Sequence, residues 1–396
     1  MRPPAVNQLF RPWIVSRSVP VQGPRTHAAK LFSTTATIRA EAQKVPVALI
    51  SKVRAARPGT PLSLAKSALV AANNDLDGAL AWISKQTAES GAKKAEKLAS
   101  RTAEQGLVAV AVLADGTGQV GVRAALVEVR CETDFVARTD EFRELAEGIA
   151  RSLAYFAEPA AAATDPAQPG LVKLDTQNES VLETPVVPSP SRVAALAAAG
   201  NAVAAVSSQE TVRSSLAQIV SRLGENIRLH RAASISLEPT LPTSDGPSAR
   251  HLASSYLHAS KTPADAAASG VQSGALGGLV IARLAGLTSA SPATPEVTEV
   301  KGLLRALARQ VVAVPTESVR AVGSDIASAD SSEQSLALYE QPLITLAPTP
   351  KFEFEGGSKV GDVLARWSEL RGLNKDDGLE VVELARWELG AAEEST

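Results

Sequence analysis

Alternating apolar and polar side chains predict one hairpin and one helix most clearly. Two apolar strands are predicted at 107–114 and 120–131, on either side of an Asp-Gly-Thr-Gly turn. The end of the second strand alternates with a period of two, which is typical of a strand buried on one face: apolar Val127, Val129 and Cys131 against polar Glu128 and Arg130. A helix follows at 139–155, with its apolar residues spaced to lie on a sheet.

The same patterns divide the rest of the chain and predict an α+β fold. Strands and a long helix between 227 and 314 repeat the order of the first module, so we expect a three-helix N-terminal domain followed by a core of two related antiparallel hairpin-plus-helix halves. The predicted segments are, in order: 44–90, three helices; 91–156, a linker helix and the first core half; 157–208, a flexible Ala/Pro-rich linker; 209–314, the second core half; 315–338, an irregular loop; and 339–396, a C-terminal module.

The first forty residues have a composition of their own. Residues 1–40 contain five Arg and one Lys, no acidic residue, and many Ser, Thr and Ala. This composition is typical of a mitochondrial transit peptide, which we expect to be disordered, although a basic nucleic-acid-binding arm is the rival interpretation. Without this segment the chain has 34 basic and 42 acidic residues, a net charge of about −8 that argues against a binder of phosphate backbones.

The content of reactive side chains is low. A single Cys excludes an internal disulfide, and with only four His it makes a metal site or nucleophilic catalysis improbable. No apolar run approaches the length of a membrane span. We therefore predict no catalytic residues, no cofactor, no metal and no membrane segment, and we expect that the chain is not an enzyme.

A glycine-rich segment raises one alternative. Gly270, Gly274, Gly277 and Gly278 lie between two predicted strands, and an enzyme could use such a segment to hold a cofactor. No Gly-Lys-Ser/Thr ending or strand-to-helix context follows, so a hairpin turn is the preferred interpretation.

The candidate functional residues lie between the second strand and its helix. Thr133, Asp134, Phe135 and Val136 place a carboxylate beside an aromatic ring on a short connection, where function is often found. A structural interpretation stays open beside this one. Asp134 could cap the turn by accepting backbone N–H groups, and Phe135 could fold onto the helix as a hydrophobic staple.

Three motifs resemble one known family. Thr-Asp-Phe-Val-Ala-Arg at 133–138 follows a Val-X-Val-X-Cys strand, Leu-Gly-Glu-Asn-Ile begins at 223, and Ala-Arg-Trp-Glu-Leu-Gly ends at 390. In combination they resemble the translation elongation factor Ts family, and the resemblance extends over about 44–156, 209–237 and 277–390.

The resemblance implies a fold, a partner and roles for the candidate residues. It implies that 44–90 is a ubiquitin-associated-like (UBA-like) domain and that the chain promotes GDP release from mitochondrial elongation factor Tu in the matrix. By the same resemblance Phe135 would act as a wedge, Asp134 would disturb the Mg²⁺ shell of the GTPase, and Thr133 and Val136 would fix the turn.

The resemblance also bears on assembly. Bacterial members dimerise through a coiled coil in the region of 315–338, where this chain has no heptad run, so we expect a monomer in a one-to-one complex. The chain is expected to hold no nucleotide of its own and to make no direct nucleic-acid contact. The alternative function is an adaptor or scaffold that binds a ubiquitin-like surface through the three-helix domain.

Overall fold

The computed structural model describes most of the chain after the predicted transit peptide. The described residues are 44–57, 59–117, 121–158, 170–198, 210–239, 248–260, 262, 268–287, 295–321, 335–350, 352–373 and 378–391. The chain divides into two compact units, Met1–Lys44 and Val45–Thr396, and every element given below belongs to the second. The predicted transit peptide, 1–40, lies outside the described residues.

Helices and strands are mixed, which confirms the predicted α+β class. The helices of the described residues are α1 (Val47–Ala56), α2 (Leu62–Ala71), α3 (Leu76–Leu98), α4 (Asp134–Ala137), α5 (Asp140–Tyr155), α6 (Glu179–Leu182), α7 (Pro190–Ala198), α8 (Val212–Leu223), α9 (Pro295–Ala313) and α10 (Val360–Glu369). The strands of the same residues are β1 (Gln105–Asp115), β2 (Val122–Cys131), β3 (Val172–Leu174), β4 (Arg228–Leu237), β5 (Ser248–His258), β6 (Val271–Gly274), β7 (Leu276–Leu287) and β8 (Leu379–Glu388).

The strands form two antiparallel sheets that pack face to face. One sheet has the order β3-β4-β2-β1-β6 and the other β5-β7-β8. Side chains of both sheets, among them Val110, Leu126, Leu257 and Leu279, form a common apolar cluster. Helix α5 covers the outer face of the first sheet and α9 that of the second, so the core has four layers.

The surroundings of strand β1 explain why the amino-acid sequence of the hairpin is continuously apolar. Val108 and Val110 face the second sheet, while Ala109 and Ala111 face α5, and all four are fully buried. A strand that is covered on both faces has apolar side chains on both, so its sequence does not alternate between apolar and polar residues. The small alanines on the helix side let α5 lie close to the sheet.

The two halves of the core are related, but their boundary differs from the prediction. In each half a pair of antiparallel strands, β1 with β2 and β5 with β7, is followed by a covering helix. A later strand then pairs beside the second strand of the pair: β4 beside β2, and β8 beside β7. Strand β4 therefore completes the first sheet, although it was predicted to open the second half. Residues of the predicted C-terminal module likewise belong to the second half instead of forming a separate module: β8 pairs with β7, and α10 packs in the core of that half.

Residues 157–208 were predicted to be a flexible linker, and the described part of this range is folded. Strand β3 pairs with β4, and Val181 of α6 is buried in the apolar core that also includes residues of α5 and α8. Ser152 Oγ of α5 accepts a hydrogen bond of 2.7 Å from the backbone N–H of Val187. The linker interpretation is therefore wrong for the described residues 170–198.

The three predicted N-terminal helices are present, and the third is longer than expected. Val53, Ala65, Leu69 and Ile83 form a small core of their own between α1, α2 and α3. Helix α3 continues to Leu98 through the predicted linker helix and packs against α8. This contact supports a core that is too small to be stable alone.

The glycine-rich segment is a crossing between the sheets, not a hairpin turn. Strand β6 ends at Gly274 in the first sheet, and β7 begins at Leu276 in the second. A Cβ on Gly277 would lie 2.7 Å from a methyl carbon of Leu257 and 3.3 Å from one of Val108. A side chain at Gly277 would therefore crowd Leu257, its partner on β5, and the Val108 methyl group of the first sheet.

Two further regions can be compared with the sequence. In the described parts of 315–338, predicted to be an irregular loop, Ser318 and Ala337 form an isolated parallel bridge. No helix among the described residues is both long and apolar enough to cross a membrane.

Candidate functional site

The candidate residues lie on a single helical turn between the first hairpin and α5. Residues Thr133–Arg138, named the finger below, comprise the N-cap Thr133, the short helix α4 and its C-cap Arg138. Thr139 then caps α5 by accepting a bond of 3.2 Å from the N–H of Phe142. Two consecutive caps explain why the chain makes a separate turn before the long helix begins.

Thr133 fixes the start of the finger. Its hydroxyl accepts a bond from the N–H of Val136 at 3.4 Å, and its carbonyl accepts one from Ala137 at 3.2 Å. The hydroxyl also donates to Glu225 Oε1 at 2.6 Å, and the Thr133 N–H donates to Glu225 Oε2 at 3.1 Å. The carboxylate of Glu225 therefore binds the N-cap residue at two atoms.

A second pair of bonds runs in the opposite direction. Glu132 Oε1 accepts the N–H of Asn226 at 2.7 Å, and the Asn226 side-chain amide donates to the carbonyl of Arg101 at 2.7 Å. The guanidinium of Arg101 lies 3.5 Å from Glu132. The segments 132–133 and 225–226 thus exchange carboxylate-to-amide bonds at the base of the finger.

The inner side of the finger is apolar. Val136 is 8 % exposed and packs in the core with Cys131, which is fully buried. Burial, and then the negative charge of Glu225, raise the pKa of the Cys131 thiol to about 12. The thiol donates to the carbonyl of Thr133 at 3.2 Å, so it serves the turn as a buried structural group.

Phe135 points away from this core. The residue is 80 % exposed. Among the described residues, no other large apolar side chain is more exposed. The alternative in which Phe135 folds onto the helix as a staple is therefore wrong. Leaving an aromatic side chain of this size in water costs free energy that binding to another surface would recover.

Asp134 is beside the ring and is also accessible. Its carboxylate lies 2.9 Å from the guanidinium of Arg138, with 45 % and 70 % of the two side chains exposed. An exposed pair four residues apart contributes about 0.3–0.5 kcal/mol, so the carboxylate can exchange this partner easily. The capping role considered for Asp134 belongs to Thr133 instead.

Sequence reasoning placed the four candidate residues together and missed the residues that hold them. Glu132, Glu225 and Asn226 form the base of the finger, and Glu225 lies 92 residues from Thr133 in the chain. The available signal was the Leu-Gly-Glu-Asn-Ile motif beginning at 223, whose position relative to the finger no local pattern reveals.

The chemistry of the finger is that of a contact surface. Across the described ranges, no group of three or more His, Cys, Asp or Glu side chains is arranged to hold a metal ion. The finger combines an exposed ring, an accessible carboxylate and a braced backbone turn. Such an arrangement suits insertion into a second protein.

Fold and site together define a class: an α+β protein with two antiparallel sheets that exposes an aromatic side chain on a braced turn. Comparison with known proteins makes this specific. A family model described as elongation factor TS matches residues 132–320. The chain belongs to the elongation factor Ts family, as its motifs indicated, and is thus a translation elongation factor.

Relatives match along most of the chain. A protein named elongation factor Ts, mitochondrial, from Mycosarcoma maydis is 33 % identical, over 93 % of this chain and 88 % of that protein. Proteins with the same name from Coprinopsis cinerea and Malassezia globosa are 35 % and 31 % identical, over 89 % and 93 % of this chain and 94 % and 93 % of their own lengths.

Proposed function

We propose that this chain is a guanine-nucleotide exchange factor that binds mitochondrial elongation factor Tu in its GDP form and promotes release of the GDP. The single observation that carries the proposal is the exposed ring of Phe135 on a turn whose other side is anchored in the core. Family membership and the names of the relatives supply the identity of the partner.

The physical requirement on such a factor is a difference in affinity. A GTPase holds its nucleotide through a phosphate-binding loop and a Mg²⁺ ion. Because coupling between two ligands is reciprocal, a factor that binds the empty GTPase more tightly weakens nucleotide binding by the same ratio. A ratio of about 10³ corresponds to about 4 kcal/mol, which one inserted aromatic side chain and a few polar contacts can supply.

The residues of the finger divide this work. Phe135 would insert between elements of the nucleotide-binding domain and gain the free energy of removing its ring from water. Asp134, whose exposed pair with Arg138 is weak, would disturb the Mg²⁺ shell through repulsion of the phosphates and competition for hydrogen-bond donors. Thr133 and Val136 would keep the turn in shape, one as N-cap and the other as its buried contact.

The proposal includes what the chain does not do. It acts as a binding factor and not as an enzyme, holds no nucleotide of its own and makes no direct nucleic-acid contact. We propose that it works as a monomer in a one-to-one complex in the mitochondrial matrix. The names of the relatives support the mitochondrial part of this proposal. The three-helix unit α1–α3 is proposed to be UBA-like.

The test is GDP release by a Phe135→Ala variant of the full chain. Mitochondrial elongation factor Tu is loaded with a fluorescent GDP, and its release is followed with increasing amounts of wild type or variant. Truncating an aromatic side chain at the centre of a contact costs about 2 kcal/mol or more, so we expect the maximal rate to fall about 30-fold.

A matched control separates the finger from aromatic exposure in general. Tyr155 is 59 % exposed and lies at the opposite end of α5, so Tyr155→Ala should release GDP at the wild-type rate. Undiminished release by Phe135→Ala, or equal losses in the two variants, would contradict the proposed function.

A further inference from the structure

We infer that Glu225 is a positioning residue for the finger: its carboxylate sets the direction in which Phe135 is presented. The inference rests on the proposed function and adds to it a residue outside the finger. We call the hydrogen bonds from Thr133 to Glu225 and from Asn226 to Glu132 the clasp.

The clasp controls the one hydroxyl on which the turn depends. The hydroxyl of Thr133 donates a hydrogen bond to Glu225 at 2.6 Å. Its oxygen lone pairs then remain available to accept the N–H of Val136. A hydroxyl without this acceptor could rotate and lose the capping bond. Because the acceptor is a carboxylate that is only partly exposed, its two bonds are of the stronger, charge-assisted kind.

The clasp ties the finger to elements outside its own hairpin. Gly224 ends α8 in the left-handed conformation, with φ of +74°, and the chain turns there toward the base of the finger. Helix α8 packs on α3 and α5, and Asn226, 5 % exposed, also binds the backbone at Arg101. The finger therefore takes its orientation from the helices around it as well as from β2.

Orientation is the property that matters for Phe135. The ring is 80 % exposed, so little packing holds it in place and the backbone turn sets its direction. A looser turn would present the ring in more directions, of which fewer fit the partner, and each productive insertion would carry a larger entropic cost. Loss of the clasp should therefore slow exchange while the chain remains folded.

The test is a double-mutant cycle between Glu225 and Thr133. Glu225→Gln keeps the size of the side chain and removes its charge, and Thr133→Val removes the hydroxyl. Glu369→Gln makes the same change at an exposed carboxylate of α10 and is the matched control. Each of the first two variants should lower the maximal rate of GDP release about tenfold, with the half-saturating concentration changed less than about twofold, as expected for the loss of a charge-assisted bond.

Coupling distinguishes positioning from general damage. If Glu225 acts through the hydroxyl of Thr133, the double variant should be no slower than the more affected single variant. Glu369→Gln should release GDP at the wild-type rate. Amide hydrogen exchange at residues 133–138, measured on the folded full chain, should quicken in Glu225→Gln, while the thermal unfolding of the core stays nearly unchanged.

Failure of this inference differs from failure of the proposed function. Wild-type release and unchanged amide exchange in Glu225→Gln would overturn the inference, and so would effects that multiply in the double variant. If Phe135→Ala itself proves silent, the proposed function fails. In that case amide exchange in Glu225→Gln still tests whether the clasp holds the finger. Quicker exchange at residues 133–138 supports this role, and unchanged exchange overturns it.

Discussion

Gly91 of α3 lies directly against the backbone of Ala217 in α8, and a Cβ built on Gly91 would stand only 1.9 Å from the carbonyl oxygen of Ala217. Two polar contacts flank this point: Ser90 Oγ lies 3.2 Å from Ser221 Oγ, and Lys94 Nζ donates to the Ser221 carbonyl at 2.9 Å. The three-helix unit thus joins the core where two helix backbones approach closely enough to exclude any side chain.

We expect Gly91→Ala to destabilise the protein. The added methyl group must push α3 away from α8, and overpacking of this kind costs about 1–3 kcal/mol. Gly302 of α9 is the matched control, because a Cβ there meets no atom within 4 Å. Gly302→Ala should stabilise the chain by about 0.5–1 kcal/mol through helix propensity. Denaturant unfolding followed by circular dichroism measures both changes, and a stable Gly91→Ala protein would refute the close contact.

Glu128 of β2 is a second point at which distant elements of the fold are connected. The residue is fully buried, and its two carboxylate oxygens each lie 2.6 Å from a guanidinium nitrogen, one of Arg130 and one of Arg231. The guanidinium of Arg231 also stacks 4.5 Å above the ring of Trp387, and the N–H of Gly390 donates to Glu128 at 3.3 Å. One buried charge therefore connects the first sheet with the end of β8.

We expect Glu128→Gln to lose about 3 kcal/mol of stability. The substitution keeps the volume but leaves two largely buried guanidinium groups without a counter-charge, which is the costly way to break a buried ion pair. Glu369→Gln removes a partner from the exposed pair with Arg366 and should change stability by less than about 0.5 kcal/mol. Equal unfolding midpoints for the two variants would show that Glu128 is not a buried junction.

These two relationships show where sequence reasoning succeeded and where it stopped. The first hairpin and α5 were predictable because their periods of two and 3.6 are local. Glu128 and Arg130 were assigned by the same alternation to the polar face of a half-buried strand. That face in fact meets the second half of the core. Glu128 is accommodated there because it pairs with Arg130 and with Arg231, the latter 103 residues away.

Long-range pairing was the information that no local pattern contained. Strand β4 has the period of a strand wherever it pairs, so its place beside β2 could not be read from 228–237 alone. Strand β3 has three residues and lies in an Ala/Pro-rich stretch, too short for a periodic signal. The finger was found by its motif, whereas its brace at Glu225 became evident only from the fold.

Cys131 provides a direct measure of whether the base of the finger stays closed. It is the one cysteine of the whole sequence, and burial with the charge of Glu225 raises its pKa to about 12. At pH 8 only about one thiol in 10⁴ would then be ionised, compared with roughly a quarter for a free cysteine. We expect iodoacetamide to modify one thiol per chain in denaturant and almost none in the native protein.

An engineered thiol on the other side of the finger serves as the control. Phe135→Cys places a thiol at an exposed position, four residues from Cys131, and should react at least about 100-fold faster than Cys131 at the same pH. Rapid modification of the native wild type would mean that the end of β2 opens frequently, which contradicts a braced finger.

Glu383 of β8 should make stability depend on pH in an identifiable direction. Its carboxylate accepts the N–H of Leu171 at 3.3 Å and that of Leu384 at 2.9 Å, so it links β8 to the segment that leads into β3. Burial raises the pKa of Glu383 above its ordinary value of 4.5, and the two backbone bonds oppose this effect only in part.

The sign of the effect follows from proton linkage. Since the folded state holds the proton more tightly than the unfolded chain, the favourable contribution of Glu383 is fully present below pH 4.5 and is lost as the pH rises through its raised folded pKa. Glu383→Gln cannot ionise and retains one acceptor. We therefore expect the variant to gain stability relative to wild type between about pH 4 and pH 7, measured by denaturant unfolding at several pH values. A difference between the two proteins that is constant over this range would show that folding does not shift the pKa of Glu383. A difference that grows in favour of wild type as the pH rises would show that folding lowers this pKa.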